Sequence, residues 1–144
     1  MTDENQFTAI VLEQDDDRNV TVGIQTLPND RLPEGDVTVG VEYSTLNYKD
    51  GMVLGGIGRL VSNYPHVPGI DFAGVIETSE SSEFAPGDRV VLTGWRVGEA
   101  HWGGYAERAR VKSDWLVKLP DGLSEFQAMA LGTAGFTAML AVIE

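Results

Sequence analysis

The sequence predicts a mainly β domain with short helices, arranged as a partly closed barrel or a sandwich of short strands. Two observations lead to this fold class. Seven or eight apolar or alternating segments of strand length follow one another at close spacing, with turn residues between them. Glycine makes up 17 of the 144 residues, about 12% against an average near 7%, as suits a loop-rich domain with many positive φ angles.

The strand predictions follow the apolar and alternating segments in chain order. We predict strands at residues 7–12, 20–24, 37–41, 70–76, 89–93, 105–111 and 115–118. The acidic cluster at residues 13–17 supplies a hairpin turn after the first strand, and turn residues at 28–30 and 33–36 precede the third. Residues 50–58 are short and rich in glycine, so we expect at most one helical turn there, leading into a loop.

The last part of the chain changes from a strand pattern to a helical one. Ser124 and Gln127 have the spacing of a capping box at the start of a helix. We expect Gly132 and Gly135 to interrupt this helix and residues 136–144 to resume it. The sequence stops inside the helical pattern, without a C-cap glycine, a proline or a polar tail. We therefore expect a piece of a longer protein.

Charge and composition narrow the classes of function. The chain has 22 acidic and 10 basic residues and a formal net charge of −12, which argues against nucleic acid or an anionic membrane as a partner. It contains no cysteine, which excludes disulfides, cysteine zinc sites, iron–sulfur clusters and a thiol nucleophile. The N-terminus lacks a signal-peptide pattern, and the apolar run at 128–143 is short for a membrane span. We expect a soluble, cytoplasmic protein.

General catalytic motifs are scarce. Neither His66 nor His101 has a second His or Glu three or four residues away, so we expect no metal site. There is no G-x-S-x-G nucleophile elbow, and no G-x-G-x-x-G turn follows a strand and opens a helix. The glycines at residues 55–58 make only a weak phosphate-loop candidate, because no clear strand precedes them.

Polar and aromatic side chains concentrate at three places. The segment Asn47-Tyr48-Lys49-Asp50 follows a strand, and Trp95-Arg96 together with residues 101–105 flanks a loop. Thr133 and Thr137 lie four residues apart and can share one helix face. Each place also has a purely structural interpretation, namely turn capping, aromatic core packing or threonine back-bonding to the helix. On composition alone that interpretation is the stronger one in each case.

Five segments carry a family resemblance in chain order: 44–50 (STLNYKD), 68–76 (PGIDFAGVI), 84–90 (FAPGDRV), 103–107 (GGYAE) and 132–138 (GTAGFTA). Together they resemble the GroES-like catalytic domain of medium-chain dehydrogenases/reductases, over nearly the whole chain. Within that family the chain is similar to the zinc-free acrylyl-CoA reductase branch, which is related to the quinone oxidoreductases. The resemblance implies a GroES-like, partly open β-barrel at residues 1–123. It also implies a helical connection at residues 124–144 that leads to a Rossmann domain not present in this chain.

The departures from the zinc-dependent alcohol dehydrogenases of this family concern the metal ligands. Those enzymes carry a zinc-binding cysteine near the segment 47–48 and a His-Glu pair where this chain has Ile70-Asp71. They also carry a four-cysteine zinc lobe in the region of residues 91–102. Because no thiolate exists here and one ligand position is Ile, the resemblance implies chemistry without zinc.

The resemblance implies an NADPH-dependent reductase that transfers hydride to the β-carbon of acryloyl-CoA and yields propionyl-CoA. Asn47 and Tyr48 are its implied catalytic residues. The implied cofactor contacts are Asn47, Tyr48, Thr133 and Thr137, and the implied substrate contacts are Arg96, His101 and Trp102. Since NADPH and CoA are polyanions and this chain is acidic, we expect the absent domain to supply most of the attracting charge.

Two alternatives stay open at this point. An NADPH:quinone or enone oxidoreductase would show a similar pocket in this half of the protein. A GroES-like binding module without catalysis would not need Asn47, Tyr48 or Thr137. For the full-length protein the resemblance implies a small-molecule acyl-CoA as partner and a homodimer. Since dimers of the family usually form through the nucleotide domain, the residues of this chain do not themselves fix the oligomeric state.

Overall fold

The structure, a computed structural model, describes residues 5–143. An N-terminal hairpin pairs β1 (Gln6–Gln14) with β2 (Val20–Pro28) in antiparallel fashion. The acidic turn between them is closed by Asp15, whose carboxylate accepts hydrogen bonds from the main chain and the side chain of Asn19 at 2.8 and 3.0 Å. The predicted hairpin turn is therefore confirmed.

A five-stranded antiparallel sheet forms the centre of the domain, with the strand order β6-β3-β4-β5-β7. Its strands are β3 (Val37–Ser44), β4 (Asp71–Ser79), β5 (Arg89–Thr93), β6 (Arg108–Val111) and β7 (Val117–Lys118). Alternate side chains point to a common core, in which Val39, Phe72 and Leu92 are fully buried. Short 3₁₀ helices at Asn29–Arg31 and Ser113–Trp115 complete the connections.

The hairpin and the sheet are joined along β1. The N–H of Ile10 donates to the carbonyl of Tyr105 at 2.8 Å, and the N–H of Glu107 donates to the carbonyl of Thr8 at 2.9 Å. The carbonyl of Glu107 in turn accepts from the N–H of Val41, in β3, at 2.9 Å. Residues 105–107 thus bond to β1 on one side and to β3 on the other. The strands therefore form a partly open barrel, and the predicted fold class is confirmed.

Two strand predictions were too long. Of residues 105–111 only the last four form β6, because the first three bond to β1 and leave the regular ladder with β3. Of residues 115–118 only Val117–Lys118 pairs with β5, since Ser113–Trp115 is a 3₁₀ turn. Both differences arise where the chain passes from one partner strand to another, which the local residue pattern does not encode.

The helix α1 (Tyr48–Leu54) is longer than the single turn expected for this part of the chain. Its start is held by Asp50, whose Oδ2 accepts a hydrogen bond from the N–H of Asn47 at 2.8 Å. A carboxylate in the first turn satisfies a free N–H and complements the helix dipole. This local capping stabilises two turns despite the glycines.

The helix α2 (Glu125–Ile143) begins with the predicted capping box. The N–H of Ser124 donates to Oε1 of Gln127 at 3.0 Å, and the N–H of Gln127 donates to Oγ of Ser124 at 3.2 Å. The helix is broken at Gly132, where φ is 51° and ψ is −159°, as predicted. The prediction of a second break at Gly135 was wrong, because that residue lies within the helix.

The two halves of α2 differ in burial. Before the break, Ala128 and Met129 are buried against β4 and the chain at Leu119. After it, the large apolar side chains are exposed: Phe136, Met139, Leu140, Val142 and Ile143. By length and composition α2 would suffice to cross a membrane, with a mean hydropathy of 1.6, contrary to the expectation from residues 128–143. The break and the packing of the first half distinguish α2 from a continuous span.

Candidate active site

Asp71, the first residue of β4, is a fully buried acid at the centre of a hydrogen-bond cluster. Its Oδ2 accepts from Oγ1 of Thr45 at 3.0 Å, from Nδ2 of Asn47 at 3.3 Å and from the N–H of Thr133 at 2.8 Å. Its Oδ1 accepts from Oγ1 of Thr133 at 2.6 Å. The carboxylate thus ties together the end of β3, the start of α1 and the break of α2. We call Thr45, Asn47, Asp71 and Thr133 the Asp71 cluster.

Gly132 allows α2 to approach this carboxylate. Its φ and ψ lie in a region that is essentially restricted to glycine. A Cβ at this position would lie 2.9 Å from Cγ2 of Thr45 and 3.0 Å from Oδ2 of Asp71. The break in the helix therefore has a structural purpose: it brings the N–H and the hydroxyl of Thr133 onto Asp71.

A second buried carboxylate, Asp50, fixes α1 against the sheet. Besides capping Asn47, it accepts a hydrogen bond at Oδ1 from the N–H of Ile70 at 3.0 Å. Tyr105 closes the same region by donating its hydroxyl to the carbonyl of Thr45 at 2.8 Å. Burial, followed by the negative charge of Asp50, raises the pKa of Tyr105 well above its usual range. Tyr105 is therefore a structural hydrogen-bond donor.

The structure brings three of the four implied cofactor contacts close together. Asn47 and Thr133 meet at Asp71, and the hydroxyl of Thr137 donates to the carbonyl of Thr133 at 2.7 Å. Tyr48 follows Asn47 at the start of α1 and is 87% exposed. It lines an open, mainly apolar groove of about 460 Å³ that also includes Leu46, Asn47, Gly51, Met52 and Ile57.

The three residues that the resemblance implies as substrate contacts differ in their surroundings and do not belong to the Asp71 cluster. Arg96 is exposed on the turn after β5, with a positive φ of 58°. His101 directs Nε2 at the carbonyl of Arg110 at 2.7 Å, and Trp102 donates Nε1–H to the carbonyl of Pro65 at 3.0 Å. The polar atoms of His101 and Trp102 are thus engaged by main-chain carbonyls outside the Asp71 cluster. A role of these residues with substrate stays a prediction.

The sequence analysis pointed to segments that contain Asp71, Asp50, Thr45 and Tyr105 but assigned these four residues no role, although they organise the site. One signal was available, because Asp71 lies between Ile70 and Phe72 at the start of an apolar strand. An acid in such a segment is buried only with partners. Within residues 5–143 no group of three or more His, Asp or Glu side chains could hold a metal ion.

The barrel and the broken helix that supplies Thr133 define a domain class, and a family comparison agrees with it. Residues 33–121 match the alcohol dehydrogenase GroES-like domain. Since this match covers more than half of the chain, the chain belongs to that family. The resemblance inferred from the five sequence segments is thereby confirmed.

Particular relatives place the chain within the family. It is 60% identical over 138 residues to a protein of Ruegeria pomeroyi named acrylyl-CoA reductase AcuI, which covers 95% of this chain and 42% of the relative. It is 43% identical over 136 residues to a Bacillus subtilis protein named putative quinone oxidoreductase YhfP, covering 94% of this chain and 41% of the relative. The chain thus spans less than half the length of these curated relatives.

A solved structure resembles the fold closely. The yhdH oxidoreductase from Salmonella enterica, crystallised in complex with NADP, has a TM-score of 0.91 and 55% sequence identity. The similarity covers 94% of this chain and 42% of that chain.

Proposed function

We propose that this chain is the catalytic-domain portion of an NADPH-dependent reductase that converts acryloyl-CoA to propionyl-CoA. The observation that carries the proposal is the 60% identity to a protein named acrylyl-CoA reductase, over 138 residues. The Asp71 cluster supports it, because it holds Asn47 and Thr133 beside the exposed Tyr48. Since the relatives are more than twice as long, the activity is proposed for the full-length protein.

The polar groups at the break of α2 fit the carboxamide of a nicotinamide. The hydroxyl protons of Thr133 and Thr137 are both committed, to Asp71 and to the carbonyl of Thr133. Their oxygens are thus left as acceptors, which match the two N–H donors of an amide. Asn47 likewise directs its own amide nitrogen at Thr45 and Asp71, and its oxygen, which accepts from the N–H of Asp50 in the capping box, keeps one further acceptor position. These residues would hold the nicotinamide end of NADPH.

A bound NADPH would supply a hydride for the β-carbon, the resulting negative charge would lie on the thioester oxygen, and water or a protein donor would supply the proton for the α-carbon. The hydroxyl of Tyr48 makes no hydrogen bond within residues 5–143, so the phenol is free to donate to the oxygen that would become negative. The apolar walls of the neighbouring groove reduce competition from water. Asp71 is fully buried and acts by positioning Asn47 and Thr133.

The exposed apolar face of α2 after Gly132 supports the presence of a second domain. Isolated domains rarely leave five large apolar side chains of one short segment in water. We propose that a nucleotide-binding domain covers this face, supplies the positive charge for NADPH and CoA, and mediates a homodimer. The full-length protein would then be a soluble, cytoplasmic enzyme with residues 1–123 as its catalytic domain and 124–144 as the connection.

The test is NADPH oxidation by the full-length protein with acryloyl-CoA as acceptor. We expect Tyr48→Phe and Asn47→Ala to lower kcat by roughly 10-fold to 100-fold, because each removes a group that orients or stabilises the reacting atoms. Tyr43→Phe is a matched control, since Tyr43 is a partly exposed tyrosine on β3 that packs on Phe126 outside the cluster. Its kcat should equal that of the unmodified protein.

A second candidate, an NADPH:quinone or enone oxidoreductase, is favoured by the 43% identity to a protein named putative quinone oxidoreductase. The same assay distinguishes the two. Consumption of NADPH with a quinone or a free enone but not with acryloyl-CoA would select this candidate. No consumption with any acceptor, together with an NADPH affinity unaffected by Tyr48→Phe and Asn47→Ala, would instead identify a binding module without catalysis.

A further inference from the structure

Trp95 presents an open aromatic face on the turn that follows β5. The side chain is 58% exposed, which is unusual for a tryptophan. One face of its ring is stacked on Trp115, with centroids 6.2 Å apart and planes at 15°. Trp115 is supported by the edge of His101 at 5.1 Å, and His101 is anchored to the carbonyl of Arg110. The opposite face of Trp95 is left to solvent on a rigid support.

The turn that carries Trp95 is strained and firmly held. Trp95 and Arg96 both have positive φ angles, 56° and 58°, although neither is glycine. The carbonyl of Arg96 accepts main-chain hydrogen bonds from Glu99 at 3.2 Å and Ala100 at 2.9 Å, and Val97 is fully buried. Glycine or asparagine would adopt this turn at lower cost. Strain that the surroundings maintain on an exposed bulky side chain points to a binding role.

Two cations without ion-pair partners lie at this surface. Arg96 is exposed and makes no ion pair within residues 5–143. The same holds for Lys112, whose Nζ lies 5.7 Å from the ring centroid of Trp115. Lys112 also attracts the carboxylate of Asp36, and Asp114 lies between Lys112 and Trp115 in the chain. On a chain with a net charge of −12, Arg96 next to Trp95 in the turn and Lys112 over the ring of Trp115 favour a ligand that is both flat and anionic. We call Trp95, Trp115, Arg96 and Lys112 the tryptophan platform.

We propose that the tryptophan platform binds the adenosine 3′-phosphate end of the CoA thioester. The adenine stacks on the free face of Trp95, and the phosphates pair with Arg96 and Lys112. This inference rests on the proposed function, because it presupposes a CoA thioester as substrate. The tryptophan platform lies close to the Asp71 cluster, because Thr93, two residues before Trp95, pairs with Asp71 in the sheet. A substrate as long as a CoA thioester could therefore contact the platform at one end and the Asp71 cluster at the other.

Equilibrium binding tests the platform without relying on turnover. The indole N–H signals of the full-length protein are followed by NMR during titration with CoA, with pantetheine and with NADPH, and Trp95→Phe assigns the Trp95 signal. We expect CoA to shift that signal and pantetheine, which lacks the nucleotide, to leave it unchanged. Trp95→Ala and Arg96→Gln should each weaken CoA binding about 10-fold, with unfolding temperatures that show both variants are folded.

Arg18→Gln is the matched control for Arg96→Gln, because Arg18 is also exposed and also has a positive φ, 68°. It lies in the hairpin turn after β1 and should bind CoA like the unmodified protein. An unchanged CoA affinity in both Trp95→Ala and Arg96→Gln would overturn the proposal. A Trp95 shift with NADPH but not with CoA would also overturn it and would assign the platform to the other adenine nucleotide.

A kinetic comparison separates this proposal from the proposed function. The ratio of kcat/KM for acryloyl-CoA to that for acryloyl-pantetheine should fall about 10-fold in Trp95→Ala. Turnover of acryloyl-CoA with an unchanged ratio refutes the platform and keeps the reductase. CoA binding that depends on Trp95, without reduction of acryloyl-CoA, refutes the reductase and keeps the platform.

Discussion

Thr133 donates its hydroxyl to Oδ1 of Asp71 at 2.6 Å and its main-chain N–H to Oδ2 at 2.8 Å. These two bonds tie the first residue after the break in α2 to the first residue of β4. Because Oδ2 also accepts from Asn47, one carboxylate sets the spacing between the two segments that we propose contact the cofactor.

Asp71→Asn should lower the free energy of unfolding by about 1–3 kcal/mol. The amide retains the shape of the carboxyl group but replaces one acceptor oxygen with a donor, which would face donors from Thr45, Asn47 or Thr133. Urea unfolding measures the effect as a shift of the midpoint at constant m value. Asp16→Asn in the exposed hairpin turn is the control and should change stability by less than about 0.5 kcal/mol. Equal midpoints for both variants would contradict the positioning role of Asp71.

Gly132→Ala should destabilise the chain by about 1–3 kcal/mol, because the added Cβ meets Thr45 and Asp71 in a backbone conformation that L-residues avoid. Gly51→Ala provides a control of opposite sign. Gly51 lies within α1, and a Cβ there meets nothing within 4 Å, so alanine should stabilise by about 0.5–1 kcal/mol. Thermal unfolding of the two variants measures both effects. A stabilised Gly132→Ala would show that the break is dispensable.

Asp36 should make the stability of the chain sensitive to acid. Its carboxylate accepts from the N–H and the hydroxyl of Ser113, each at 2.7 Å, and these bonds hold its pKa below the model-compound value of 3.8. A pKa lowered by folding adds stability above the unfolded pKa, and this is lost as the pH falls through the folded pKa. The stability difference between the unmodified chain and Asp36→Asn should therefore be constant above about pH 5 and shrink at lower pH. A difference independent of pH down to 2 would contradict this assignment.

The 144-residue chain alone should bind NADPH only weakly, with a Kd above about 1 mM. Its net charge is −12, and the dinucleotide is a polyanion that would find only one wall of the proposed cleft. Isothermal calorimetry of the chain and of the full-length protein measures the two affinities side by side. Micromolar binding by the isolated chain would contradict the proposal that a second domain supplies the attracting charge.

Features that depend on residues close together in the chain were predictable. The capping box of Ser124 and Gln127, the acidic hairpin turn and the central strands follow from local periodicity and hydrogen bonding, so their residue types suffice to predict them. The prediction of a helix break was correct at Gly132 and wrong at Gly135. At Gly132 the chain leaves the helical conformation where it packs closely against Thr45 and Asp71, and this contact is not visible in the local sequence. The family resemblance likewise rests on short sequence segments that can be identified without a structure.

The sequence by itself thus determined the fold class, the family and the segments around Asn47 and Thr133. Only the tertiary structure decided that Asp71 organises them, since its bonds to Thr133 and Asn47 span 62 and 24 residues of chain. The stack of Trp95 on Trp115 is of the same kind. Periodicity reports which side of a strand or helix is apolar, whereas convergence of distant donors on one buried carboxylate depends on how those elements pack.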